Sequence, residues 1–560
     1  MIFIIVVLVI TIVFGLWSSS LWAATYYLDA VDGNDNNPGT SEQPWQTLSK
    51  SKATVTSGNT IYLRTGNYGS YGESLSDDRT DWIIYKAESG EEPVFTKISV
   101  YSSSSGTKRN AYLKFDGIDI EHPNWEPESG DDGDYHGDDA GAPKDLFYFK
   151  DVNYVQLLNG KYEGYYRWIS LGGYIKNIEN VTIRHCEITN VNGHLLDIEY
   201  PTNVLIDNCY LHRMLNGSGI RILYTASDVT IQNNHIYFET DCGSCVNDPY
   251  FPHWFCPWDP NWDGETDSFL HNGSGISARS SNIVIRKNII RGNWPQSLMF
   301  YNNFGPYMNM VVENNLFYDA DNIMFYDLGE NNSFRNNTLI GRVSVDGTAK
   351  PYILQRYKDY MSLGIQIEDG YDGSKTHIYN NIMICQWGAS EGWSLDEDYN
   401  ITWNYGGTNG YQYSKGDHTL VVVYEPETGY MGGYPNFFED IGYRSSTDKY
   451  SYSEDGIQPF FVNPGFYFGE IGDYKDKYKI WDYHLAEDSP GINFGVSTVA
   501  TYSQVFSGEV EGPSQPPDSL GSLGGDGFIV DNGPTRDASH HSVGAYEYQI
   551  GTKYLLAIKE

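Results

Sequence analysis

VTIRHCEI (181–188), VLIDNCYL (204–211), VTIQNNHI (229–236), IVIRKNII (283–290), MVVENNLF (310–317), NSFRNNTL (332–339) and THIYNNIM (376–383) repeat one phrase, apolar-x-apolar-x-Asn-Asn-x-apolar. The alternation reads as a short strand, and its recurrence reads as a stack. Successive copies start 23, 25, 54, 27, 22 and 44 residues apart. A period near 22 to 27 residues suits one coil of a parallel β-solenoid, with the longer gaps holding inserts or a degenerate coil. The sixth position reads Cys186, Cys209, Asn234, Asn288, Asn315, Asn337 and Asn381. Stacked coils lie about 4.8 Å apart. A buried column of Asn at that spacing can pass amide hydrogen bonds from coil to coil at a turn, and Cys fits the same small slot.

A solenoid grows by adding coils, so 560 residues need no division into several domains. Residues 1–24 stand apart. Ile2 to Trp17 is an apolar run, followed by Ser18 to Ser20 and Leu21-Trp22-Ala23-Ala24. The small residues suit a signal-peptidase cut after Ala23 or Ala24, and the chain is expected to be secreted or to act at the cell surface. No Lys or Arg follows Met1, which leaves an uncleaved anchor as the alternative. With cleavage no membrane span remains in residues 25–560.

Net charge is −37, from 36 Lys plus Arg against 73 Asp plus Glu. Such a surface repels nucleic acid, so that partner is not expected. It also repels an acidic polysaccharide unless metal ions or local basic residues intervene. Hydrophobic residues make up 40% of the chain and mean hydropathy is −0.46, which suits a soluble monomer with a narrow axial core.

The opening segment reads Asp32-Gly33-x-Asp35-x-Asn37-Pro38-Gly39-Thr40, then Pro44-Trp45-x-Thr47-Leu48, then Gly58-x-Thr60-Ile61-Tyr62-Leu63-Arg64-x-Gly66-x-Tyr68. On the residues alone this is a turn, a short amphipathic helix able to cap an open end, and a first strand bounded by glycines. The combination resembles the start of exported right-handed parallel β-helix proteins, a group that includes polysaccharide lyases and glycoside hydrolases. Phe461-Val462-Asn463-Pro464, Ser489-Pro490-Gly491-Ile492, Asp531-x-Gly533-x-x-Arg536 and Val543 to Tyr548 resemble the closing coils of the same group. The expected fold is therefore an all-β, right-handed parallel β-helix spanning 25–560. It comprises a cap and first coil at 25–70, main coils at 71–405 with an insert at 238–272, and C-terminal coils with a closing strand at 406–560.

A second strand recurs in each coil: LLDIE (195–199), IRIL (220–223), ISAR (276–279), LMFY (298–301), IMFY (323–326) and IQIE (365–368). Alternation turns Asp197, Glu199, Arg221, Ser277, Arg279, Met299, Tyr301, Met324, Tyr326, Gln366 and Glu368 outward. Carboxylates, arginines and tyrosines on successive coils would give acid/base groups beside platforms for sugar rings, Tyr301 and Tyr326 among them. The plainer reading is a solvated face of ion pairs, as Arg286, Glu313 and Arg335 spell on another strand. His212, His235 and His271 fall near this expected cleft.

Between the third and fourth copies lies Asp259-x-Asn261-x-Asp263-Gly264-Glu265-x-Asp267. Oxygen ligands at positions 1, 3, 5 and 9 with Gly at 6 match the first nine positions of a calcium loop, Glu265 standing at the backbone-carbonyl position. Position 12 is Leu270, so an EF-hand is excluded. Cys242-x-x-Cys245, His253 and Cys256 in the same insert suit a disulfide better than zinc. The acidic run 130–145 reads as a solvated loop.

These features point to a calcium-assisted lyase on a uronic-acid polysaccharide, with Arg279 or Arg221 as base or carboxylate clamp and a cleft lysine as the rival base. A glycoside hydrolase using Asp197 and Glu199 is the alternative. A non-catalytic glycan-binding or cell-surface structural protein is the third, since neither Arg-x-Pro-x-x-Arg nor Gly-His-Gly occurs.

Overall fold

The computed structural model describes residues 23–121, 145–164, 171–238 (without 192, 215 and 216), 274–292, 296–300, 309–318, 323–327, 332–340, 363–367, 376–389, 396–405 (without 399), 420–421, 461–463 and 482–485. Each coil contributes three strands, and like strands of successive coils pair in parallel. The first sheet holds, among others, Ser227–Gln232, Ile283–Arg286 and Val311–Glu313. The second holds Tyr210–Met214, His235–Phe238 and Ile289–Gly292. The third holds Asp145–Lys150, Ile220–Leu223 and Ser274–Arg279. Two long strands, Leu171–Arg184 and His194–Asp207, run from the third sheet into the first without a break.

The eight-residue phrase is thus not one strand, as its alternation suggested, but two strands joined by a tight corner. Residues 229–232 belong to the first sheet, 233–234 turn, and 235–236 begin the second. The fifth position carries the bend. His185, Asn208, Asn233, Lys287, Asn314, Asn336 and Asn380 all adopt φ between 51° and 59°. Among side-chain-bearing residues Asn tolerates this left-handed region best, which explains the first Asn of each Asn-Asn pair.

The second Asn points inward and makes the ladder. The Nδ2 of Asn234 donates to Asn288 Oδ1 at 3.0 Å, Asn288 to Asn315 at 3.0 Å, Asn315 to Asn337 at 3.0 Å, and Asn337 to Asn381 at 3.2 Å. Each Oδ1 also accepts the backbone N–H of the coil before it, as Asn288 Oδ1 does from Asn234 at 2.9 Å. The second Nδ2 hydrogen goes to a carbonyl, such as Ile231 O for Asn288 at 2.9 Å. These fully buried amides have their polar atoms satisfied, which is the condition for an Asn in a core. The column runs one coil further than the phrase did: Asn381 donates to Asn400, also fully buried. At the other end Cys209 replaces the amide, its own N–H bonding Asn234 Oδ1 at 2.9 Å. Cys186 and Cys209 are buried free thiols.

The direct pairing of Val229 with Ile283 and of Asn332 with Thr376 shows that the 54- and 44-residue gaps are single coils with inserts. Inward columns fill the axis with apolar side chains, for instance Ile183, Ile206, Ile231, Ile285, Val312, Phe334 and Ile378. Outward, Arg335 pairs with Glu313 at 2.8 Å and Arg286 donates to Gln232 at 2.8 Å, the solvated ladder expected of that face. At the start of the chain a helix, Leu48–Thr54, is capped by Thr47 and packs Leu48 and Ser51 into the core. Residues Phe461–Asn463 and Asp482–Leu485 pair antiparallel with each other, so these two strands are not a rung of the parallel sheets. Among the described residues no helix is long and apolar enough to cross a membrane.

Two outcomes test the corner. Asn315→Ala, which removes an acceptor from buried Asn288 and a donor to Asn337, should cost about 2–4 kcal/mol in denaturant unfolding. Lys287→Asn, which puts a tolerant residue in the left-handed position, should stabilise by about 0.5–1 kcal/mol in the same assay.

Candidate active site

The three corners of a coil are unequal. The Asn corner keeps two residues, whereas the corner from second to third sheet admits segments 122–144, 239–273 and 341–362. All three long inserts therefore leave along one edge of the third sheet. The calcium-like residues Asp259, Asn261, Asp263, Glu265 and Asp267 belong to segment 239–273, which in the chain immediately precedes the strand of Ser277 and Arg279. Those five residues, and Tyr301, lie outside the described residues.

Period-2 alternation sends two columns of the third sheet outward. One reads Tyr148, Tyr174, Asp197, Arg221, Ser277, Met299, with the backbone of Tyr326 in register after it; the other reads Lys150, Lys176, Glu199, Leu223, Arg279. The predicted residues Asp197, Glu199, Arg221 and Arg279 are thus brought together on adjoining coils. Their partners alter what they can do. Arg221 grips Asp197 with both ends of the guanidinium, Nε to Oδ1 at 2.9 Å and the terminal nitrogen to Oδ2 at 2.6 Å. Asp197 is only 2% exposed beneath it. Glu199 meets Lys176 Nζ at 2.6 Å. Both carboxylates expected to stand open as acid and base are the inner halves of ion pairs between neighbouring coils.

Lys176 and Tyr174 escaped the sequence reading. Their strand begins Leu171-Gly172-Gly173, where alternation is lost. A Cβ on Gly173 would lie 2.1 Å from the Phe147 ring, so Phe147 occupies the inward slot that a side chain there would fill. Hydrogen bonding to Glu199 raises the Lys176 ammonium above the usual lysine range. Burial, then the charge of Glu199, pushes the Tyr174 phenol up to about 12. Both keep their protons through the neutral range. The rings of Tyr148 and Tyr174 lie 5.7 Å apart. At the far corner of the third sheet Tyr200 and Tyr224 stack at 4.5 Å with planes 6° apart, and both are exposed. The outward ring pairs described on this sheet and its corner are thus Tyr148 with Tyr174 and Tyr200 with Tyr224, none of them among those expected from the sequence.

Histidine placement also differs from expectation. His212 and His235 lie on the second sheet, away from this face, and His212 meets Glu187 at 2.9 Å. His271 lies outside the described residues. Among the described residues, the histidine of the third sheet is His194, which opens its strand at the insert-bearing corner. Its Nδ1 accepts the Ser218 backbone N–H at 2.7 Å. Burial, then the positive field of Arg221 and that of Arg279, holds its pKa down to about 3. No pattern marked it, because its partner is a main-chain amide.

Along these columns Lys150, Lys176, Arg221 and Arg279 face Asp197 and Glu199, a local excess of positive charge on a chain of net charge −37. Among the described residues no group of three or more His, Cys, Asp or Glu is placed to hold a metal ion.

The right-handed beta helix region family matches residues 167–390. No curated protein matches the sequence. Among solved structures, the chain is similar to a rhamnogalacturonan lyase, at 15% identity over 71% of this chain and 87% of the other, with a TM-score of 0.38. It is also similar to a mannuronic acid specific polysaccharide family 6 lyase from human gut microbiota, at 12% identity over 71% and 83%, TM-score 0.39. A lacto-N-biosidase from Eubacterium ramulus matches at 12% identity over 71% and 68%, TM-score 0.35. Likenesses this distant bring no activity to the chain. Its parallel three-sheet coils, its Asn corner and the family match over 167–390 make it a right-handed parallel β-helix protein.

Proposed function

We propose that the chain is a secreted lyase that cleaves an acidic, uronic-acid polysaccharide on the outer face of the third sheet, assisted by calcium. The observation that carries this reading is the row of cations from Lys150 to Arg279 on a chain of net charge −37. A polyanion is repelled elsewhere and attracted here. Neighbouring coils are about 4.8 Å apart, so the row is long enough for several sugars rather than one. Lys176 and Arg221, each fixed by a carboxylate of the adjoining coil, are pre-oriented clamps for uronate carboxylates.

The reacting sugar belongs near Arg221, Ser277 and Arg279, on the two coils that flank the large insert in sequence. In this reading Arg221 clamps the uronate carboxylate, and Arg279, charged at rest and acting only after giving a proton to solvent, takes the C5 proton as the C4–O bond breaks; the C4=C5 double bond forms and the departing sugar oxygen takes a proton from water. The Asp259 to Asp267 segment offers a suitable set of oxygen donors for Ca2+. When bound, calcium would neutralise the uronate carboxylate and acidify the C5 proton.

The hydrolase alternative is weakened by the burial of Asp197 under Arg221, since a general acid or base needs access to substrate or water. A glycan-binding protein without turnover would use the same cations. Absorbance near 235 nm separates the three: with polygalacturonate, alginate or chondroitin sulfate, a rise means elimination, and reducing ends without that rise mean hydrolysis. Binding with neither leaves the non-catalytic reading.

For the lyase, EDTA and Asp263→Ala should each lower turnover at least about tenfold, and Arg279→Ala should lower kcat about 10²-fold or more with an unchanged melting temperature. Asp197→Asn separates the readings further. A hydrolytic acid or base would lose activity, whereas an ion-pair anchor loses melting temperature first.

Lys176→Gln should raise KM about tenfold with a smaller effect on kcat. The pH sign follows from the raised lysine value. The Lys176–Glu199 pair contributes at pH values below lysine's unfolded value of about 10.4 and is lost only as pH climbs through the higher folded one. The KM penalty of Lys176→Gln should therefore stay constant from pH 7 to 10. A penalty that vanishes by pH 9 would contradict this assignment.

A further inference from the structure

We propose that His194 is a selectivity-setting residue of the cleft, an imidazole locked as a neutral hydrogen-bond donor that offers Nε2–H to a hydroxyl or carboxylate oxygen of the bound glycan. The inference rests on the reading of the third sheet as a glycan cleft. It begins from the 2.7 Å bond in which the Ser218 main-chain N–H donates to Nδ1. A nitrogen that accepts cannot carry the proton, so the neutral ring has its hydrogen on Nε2.

The backbone that supplies this donor is built for the ring. Gly217 has φ of 103°, and a Cβ there would lie 2.8 Å from Nδ1 and 2.9 Å from the carbonyl carbon of Gly193. Any side chain at 217 would displace the imidazole or the loop. The serine that follows is fixed in turn, its Oγ 3.0 Å from Ser274 Oγ, with both serines buried. Ser274 is the first residue after the calcium-like insert, so the bond holding His194 is tied to the base of that insert.

Among the described residues, the charged groups that act on the ring are Arg221 and Arg279, and both oppose its protonation. A second cation between two guanidiniums would cost Coulomb energy, and the Ser218 amide would lose its acceptor. His194 therefore differs from a catalytic histidine, which must exchange a proton near neutral pH. It supplies direction without charge among residues that supply charge. An arginine pair attracts any anion, but a single fixed N–H discriminates by where an oxygen stands on the sugar ring.

The test uses the full-length protein labelled with ¹⁵N-histidine, the His194 signal being identified by its loss in His194→Phe. Long-range ¹⁵N correlation spectra should show the Nε2–H tautomer with no titration from pH 8 down to pH 4. An Nδ1–H tautomer, or a midpoint near the ordinary value of about 6.5, overturns the assignment. Calorimetry with tri-galacturonate and tri-mannuronate then reads the role. His194→Phe, which keeps the ring shape and loses the donor, should weaken the better-bound trimer about tenfold, the equivalent of one directed hydrogen bond. His194→Gln should remain within about threefold and keep the wild-type melting temperature, whereas His194→Phe, which leaves the Ser218 N–H without its acceptor, should melt lower, so both affinities are read well below either melting temperature. Unchanged trimer affinity in His194→Phe overturns the donor role while leaving the cleft intact. Failure of the wild-type protein to bind either trimer overturns the uronate-cleft reading, and the donor role with it.

Discussion

The amide relay from Asn234 to Asn400 is the constraint on which the rest of the solenoid depends. Each Asn accepts from the coil before it and donates to the coil after it, so no coil can slide against its neighbours without orphaning buried polar groups. Apolar columns alone tolerate slippage far better, because one Ile replaces another. The relay fixes both register and the direction of the turn, and the neighbouring left-handed residue makes the turn sharp enough to bring the amide inside. Everything outward, including the cation row, inherits its alignment from this corner.

The face that results uses ion pairs between coils for orientation rather than for stability. Arg221 and Lys176 each lean on a carboxylate one coil away, and that carboxylate is the more buried partner. Exposed pairs contribute little to folding, yet a cation whose position is set by a buried anion loses less entropy when it meets a ligand. Tyr174, protonated through the neutral range beside Lys176 and Glu199, completes a surface whose donors keep their state over a wide pH span.

How much of this could be read from the chain depended on whether a side chain or a backbone carried the signal. The Asn corner was legible because seven copies repeat it, and its fifth position was legible only as composition until φ gave the reason. Asn400 escaped because the strand before it is Asp396-Glu397-Asp398, which shows no apolar alternation. Tyr174 and Lys176 escaped because Phe147, from the previous coil, does the packing that Gly173 leaves undone. Asp197, Glu199, Arg221 and Arg279 were found by counting in twos along clear strands. Counting gave their side of the sheet but not their pairing, which depends on side-chain reach between coils. His194 could not be found by any residue pattern, since its partner is the main chain of Ser218.

The inequality of the three corners has a consequence for change. A length mutation at the Asn corner would shift a buried relay and be removed with the misfolded chain, while the second corner, feeding the same edge of the third sheet at every coil, has absorbed stretches of more than twenty residues. Variation is thereby channelled to one rim. Such a scaffold can exchange its loops as cassettes, trading one ligand preference for another while the stack beneath them keeps time.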